Sequence, residues 1–167
     1  MNTLVYALDQ SARLKSKAGI PLAAPDGFAL HVPGRPEAPE LQGTAPAQEP
    51  RTDLNREVWG GAQAGFRVYR DWLEIVNAYP STRGLPVYIT STNTFVVQTG
   101  IPPAQNYPQG WLTAALLEIN SQPQVHALCW FLDADRSGDA RWNWFSLAER
   151  PGRLVYAAEE FNALLQQ

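Results

Sequence analysis

The chain is predicted to be an α/β protein built on a parallel sheet, and three observations carry that prediction. Short apolar runs alternate with amphipathic stretches of helical period, the signature of a βα repeat. The apolar runs at residues 27–32, 85–90 and 125–132 are rich in bulky side chains and give way to polar residues, as buried parallel strands do. The long loops follow strands, whereas the helix-to-strand turns are short. Variable loops then gather on the C-terminal edge of the sheet, where ligands bind in such folds.

Taken in order, residues 3–17 place Leu4, Val5, Leu8 and Ala12 on one helical face, with Asn2 or Thr3 as cap and Gly19 as stop. A helix is expected there; a strand over 4–8, which would make a fourth, is the rival. Residues 20–26 form a Pro-rich connection, and 27–32 read as a short strand ending at His31. Residues 33–55 are a long Pro-rich loop, far beyond the roughly 2–6 residues usual between strand and helix, which suits a functional loop, a flap or a tether. Residues 58–77 carry Phe66, Tyr69, Leu73 and Val76 on one stripe among Arg67, Arg70, Asp71 and Glu74, an amphipathic helix.

After a turn over 79–84, the strand 85–90 runs into Ser91-Thr92-Asn93. A polar loop over 92–109 leads to a helix at 111–120 bearing Leu112, Ala115, Leu116 and Ile119. The third strand, 125–132, is followed by a loop over 133–143. Pro151-Gly152 sets up a last helix near 154–165. A single domain spanning residues 1–167 accommodates all of this.

Composition narrows the function classes. With a net charge of −3 and scattered Lys and Arg, the chain has no basic stripe, so neither nucleic acid nor an anionic membrane is an expected partner. No apolar run nears the ~20 residues that span a bilayer, and the first residues lack the pattern of a signal peptide; a soluble protein is expected. The single cysteine, Cys129, lies in an apolar run and is expected to be a buried, inert thiol. Phosphate-binding glycine loops, a nucleophile elbow and Cys-x-x-Cys pairs are missing, so no cofactor is implied.

Several segments together resemble a known family. Asp26-Gly-Phe-Ala-Leu-His31, Phe66-Arg-Val-Tyr-Arg-Asp-Trp72, Leu85-Pro-Val-Tyr-Ile-Thr-Ser91-Thr-Asn93, Phe145-Ser-Leu147 and Pro151-Gly-Arg-Leu154 look like the last part of a cellulase-like clan A glycoside hydrolase. That resemblance implies a partial (β/α) barrel of TIM type, whose sixth, seventh and eighth strands would be the three runs above. The seventh strand of that clan ends in the nucleophile Glu, and Ser91 stands at that place. His31, Asn93 and Trp130 would correspond to substrate-contacting positions.

On this mapping the chain is glycoside-hydrolase-like but hydrolytically inactive. Retaining hydrolysis needs two carboxyl groups about 5–5.5 Å apart; Ser91 replaces one, by natural loss or by design, and the strand that carries the acid/base in the clan has no counterpart here. A structural or protein-interaction module, or a carbohydrate-binding pseudoenzyme, is the alternative. Three or four strands cannot close a barrel, so a second copy or a complementary barrel half is the expected partner, with a carbohydrate as ligand.

Two further groups are candidates. Trp142 and Trp144, in a polar stretch, suit contact with a sugar face or a protein. Asp133, Asp135, Ser137 and Asp139 space oxygens as a calcium loop does, but Trp144 occupies the place of the closing Glu, so an ordinary solvated loop is the competing reading. His126, at the start of a strand, reads as a surface histidine.

Overall fold

The computed structural model describes residues 1–21, 24–32, 65–93, 107, 109–134 and 136–166. The expected long loop over 33–55, most of the expected loop over 92–109, and Asp135 lie outside them. Helices α1 (Asn2–Lys17), α2 (Val68–Asn77), α3 (Trp111–Asn120) and α4 (Leu154–Leu164) alternate with strands β1 (Phe28–His31), β2 (Val87–Thr92) and β3 (Val125–Trp130). Short 3-10 turns precede α2, at Gly65–Arg67, and follow β3, at Ala140–Phe145. All pairings are parallel, in the order β1-β2-β3.

Each strand therefore lies beside the next one in sequence, as in the wall of a barrel, but the sheet is open. Among the described residues the sheet holds three strands and does not close into a barrel. The rival strand at 4–8 is part of α1. Its expected apolar face is corrected too, because Val5, Asp9 and Ala12 are buried while Leu4 is exposed. The helix turns about its axis to bury Asp9, whose carboxylate accepts the Ser81 N–H at 3.0 Å and pairs with Arg13 at 2.9 Å.

One face of the sheet is covered by helices. Phe28 and Leu30 of β1, Val87 and Ile89 of β2 and Val125 of β3 share a core with Val5, Tyr69, Leu73, Val76, Leu112, Ala115, Ile119 and Leu154. Burying each such side chain contributes about 1.5–3 kcal/mol. The α2 stripe is the one its spacing predicts. The alternate residues Ala29, Tyr88 and His126 are exposed on the other face, with the rings of Tyr88 and His126 packed edge to face at 5.7 Å.

Local chemistry sets the ends of these elements. A Cβ on Gly27 would fall 2.8 Å from the Pro86 carbonyl, which accepts the Phe28 N–H as β1 joins the sheet; only glycine allows that approach. Helix α3 begins after Gly110, which has a φ of 89° and no capping side chain. Glu160 of α4 supplies the cap, accepting the N–H groups of Gly110 and Thr113 and the Thr113 hydroxyl. On the same outer layer Glu118 of α3 binds Tyr69 at 2.8 Å, Arg70 at 2.6 Å and Arg67 at 3.3 Å, so α2 and α3 are clamped together.

Candidate functional site

The register across the sheet changes at the C-terminal end of β2. Leu30 pairs with Ile89 but His31 pairs with Ser91, and on the other side Leu128 pairs with Ile89 but Trp130 with Thr92. Strand β2 thus holds one residue more than either neighbour between these levels, a β-bulge over Thr90 and Ser91. Such bulges re-aim side chains and concentrate next to binding sites. The bulge brings Ser91 level with His31 and Thr92 level with Trp130, and the alternation of β2 breaks at Thr92, which is buried next to Ser91.

Ser91 is buried, at 5% exposure, and among the described residues its hydroxyl lacks a hydrogen-bond partner, as does the buried hydroxyl of Thr92. Their backbones are held on both sides: the Ser91 carbonyl accepts Val32 N–H at 2.9 Å, and the Thr92 carbonyl accepts Phe131 N–H at 3.0 Å. An orphaned buried hydroxyl costs on the order of 1–3 kcal/mol. Two such hydroxyls stand side by side at the end of the central strand.

Asn93 ends this strand with a φ of 66°, in the left-handed region that Asn tolerates better than most residues. It is fully buried; its Oδ1 accepts the Tyr107 hydroxyl at 2.8 Å and its Nδ2 donates to the Phe145 carbonyl at 3.5 Å. The Trp130 Nε1–H donates to the same carbonyl at 3.0 Å. Tyr107, Trp111 and Trp130 pack ring against ring, with Tyr107 4.8 Å from Trp111 and 5.3 Å from Trp130. Two of the expected substrate contacts, Asn93 and Trp130, therefore meet on Phe145 and use their polar groups in the frame of the site.

The expected loop over 133–143 instead contains a 3-10 turn that carries both Trp142 and Trp144. Its base is pinned where Ser146 returns beside Leu132 and its hydroxyl donates to the Asp133 carbonyl at 2.7 Å. Trp142 and Trp144 are 40% and 38% exposed. Trp142 stacks with Phe131 at 5.8 Å and with Phe145 at 6.1 Å, and Phe131 meets Phe145 at 5.5 Å. An exposed aromatic platform results, one residue beyond the end of β3.

Of the calcium candidates, Asp139 caps the 3-10 turn and is gripped by Arg141 at 2.6 Å. Hydrogen bonds from the Arg141 side chain and backbone hold its carboxyl below the usual carboxylate range. Asp133 and Ser137 are exposed, and among the described residues no three His, Cys, Asp or Glu side chains gather as metal ligands. Cys129 is exposed rather than buried, on β3, which is an edge strand of the sheet among the described residues.

Sequence reasoning missed Tyr107 and Phe131. Tyr107 sits in a Pro-rich stretch without periodicity, and the bulge that repositions Ser91 and Thr92 leaves no trace in a run of Ser and Thr. Chemically, the described site offers hydroxyls, amides and aromatic faces. Among the described residues no carboxylate or imidazole hydrogen-bonds the Ser91 hydroxyl, the contact by which a base activates a serine nucleophile. Comparison with family models, with curated proteins and with solved structures returns no match.

Proposed function

We propose that this domain binds a carbohydrate without hydrolysing it, on a segment of (β/α) barrel descended from a glycoside hydrolase. The observation that carries the reading is the bulged end of β2, which sets Ser91 level with His31 and leaves two hydroxyls without partners among the described residues; on the glycoside-hydrolase resemblance a carboxylate would stand at Ser91. Phe131, Trp142 and Trp144 at the same edge offer flat apolar faces with indole donors, which suit sugar rings. The open sheet adds a second part to the proposal: its free edges and uncovered face are closed by another copy or by a complementary barrel half.

Calorimetry against a panel of β-linked oligosaccharides tests the binding, with Trp142→Ala and Trp144→Ala each expected to weaken it at least tenfold. Absence of binding across the panel sinks the reading. Ser91→Glu restores one of the two carboxyls, and an aryl β-glycoside with a good leaving group, which needs no general acid, is expected to leave a glycosyl adduct on it by mass spectrometry. Self-association is read by light scattering at tens of micromolar, where a monodisperse monomer counts against a homo-oligomer.

A further inference from the structure

A separate cavity of about 570 Å3 lies between the outer edge of β3 and helix α4. Leu128, Trp130, Leu147, Ala158, Phe161 and Leu165 form its apolar walls. At its rim stand Asp133 and Arg150. Both are exposed, and neither side chain has a hydrogen bond or ion pair among the described residues. An anion and a cation at one rim, close enough to share a cavity yet not paired, is an arrangement that a single small zwitterion satisfies.

The backbone around these two residues is built rather than loose. The Asp133 carbonyl accepts both the Ser146 hydroxyl at 2.7 Å and the Ala148 N–H at 2.9 Å, and Leu147 N–H reaches the Leu132 carbonyl at 3.3 Å. Arg150 then follows with a φ of 51°, its N–H on the Ser146 carbonyl. An arginine in the left-handed region is uncommon, and such backbone is retained where its surroundings enforce it, often at ligand sites. Both charged side chains therefore start from backbone held by hydrogen bonds, on residues that line the cavity.

We propose that this cavity binds a free amino acid with a large apolar side chain. The α-carboxylate lies on the Arg150 guanidinium, the α-ammonium on the Asp133 carboxylate, and the side chain enters between β3 and α4 against Trp130 and Phe161. Charge decides for this ligand over an extended peptide laid along the β3 edge: an internal peptide segment brings neither charge and would leave both rim residues unused. The site is distinct from the aromatic platform and does not depend on carbohydrate binding.

L-Phenylalanine and L-leucine are the probes, titrated by calorimetry into the full chain. Phenethylamine and 3-phenylpropionate, each lacking one of the two charges, serve as the comparison. Cys129 lines the same cavity and is the only thiol, so its alkylation rate gives a second readout. The expected result is saturable binding of phenylalanine that slows alkylation of Cys129, with each single-charge analogue at least tenfold weaker. Asp133→Asn and Arg150→Gln are each expected to weaken phenylalanine at least tenfold, with thermal unfolding checked so that loss of the fold is not mistaken for loss of the site. Equal binding of phenylalanine and either analogue, insensitivity to both substitutions in a folded protein, or no binding at about 10 mM phenylalanine overturns the proposal.

Discussion

At the scale of single residues, Asn93 shows how one side chain closes the end of a sheet. Its backbone occupies a region that a β-branched or bulky residue reaches only with strain, and its amide joins Tyr107 to Phe145. Asn93→Val is therefore expected to cost about 2–4 kcal/mol, from strain together with a lost buried hydrogen bond. Tyr107→Phe, which removes the hydroxyl and leaves the Asn93 backbone unchanged, should cost about 1–3 kcal/mol. Urea denaturation of both variants measures the difference, and equal costs would show that the left-handed backbone contributes nothing. Sequence identified Asn93 and Ser91 as the end of a strand, but the bulge depends on how three strands align, a relation that no single segment encodes.

At the scale of elements, two carboxylates hold helices in place from a distance. Burial works against the charge of Asp9, but the Ser81 N–H and the Arg13 guanidinium outweigh it and hold its carboxyl below the usual range. The sign follows from linkage: a depressed pKa contributes stability that is full above the unfolded value near 4 and is lost as pH falls through the folded value. Asp9→Asn should flatten that part of the stability–pH curve, measured by thermal unfolding from neutral to acid pH; an unchanged acid slope would remove Asp9 from the account. Glu160 does for α3 what an N-cap side chain normally does, since Gly110 has none. Glu160→Ala is expected to cost about 0.5–2 kcal/mol, while Glu160→Gln, which still accepts hydrogen bonds, should cost less. Helix α4 was legible from its own pattern, but its role as the cap of α3 was not, because the partners lie about 50 residues apart.

At the scale of the whole molecule, a three-stranded parallel sheet covered on one face places unequal demands on its strands. Strand β2 is flanked on both sides, and Val87 and Ile89 are fully buried. The edge strands β1 and β3 each have one paired side. Amide hydrogen exchange should accordingly be slowest in β2 and faster in β1 and at the ends of α1. Comparable protection across all three strands would mean that the edges are covered in solution, the outcome expected if copies assemble edge to edge. Addition of glycan should slow exchange at the C-terminal edge, around residues 91–93 and 140–145, and leave α1 unaffected.

What the sequence by itself determined is the class of fold and the order of its parts. The 3.6-residue period of α2, the apolar runs of the three strands and the glycines that stop helices are local signals, and each element formed close to where they placed it. The tertiary structure decided what those signals could not express. Asp9 of α1 faces inward where Ser81 offers its N–H, Cys129 is exposed on a strand that among the described residues is at the sheet edge, and Ser91 stands level with His31 because β2 carries one residue more than β1 beyond the Leu30–Ile89 pair. Each depends on distances between segments remote in sequence, and these exist only once the sheet has assembled.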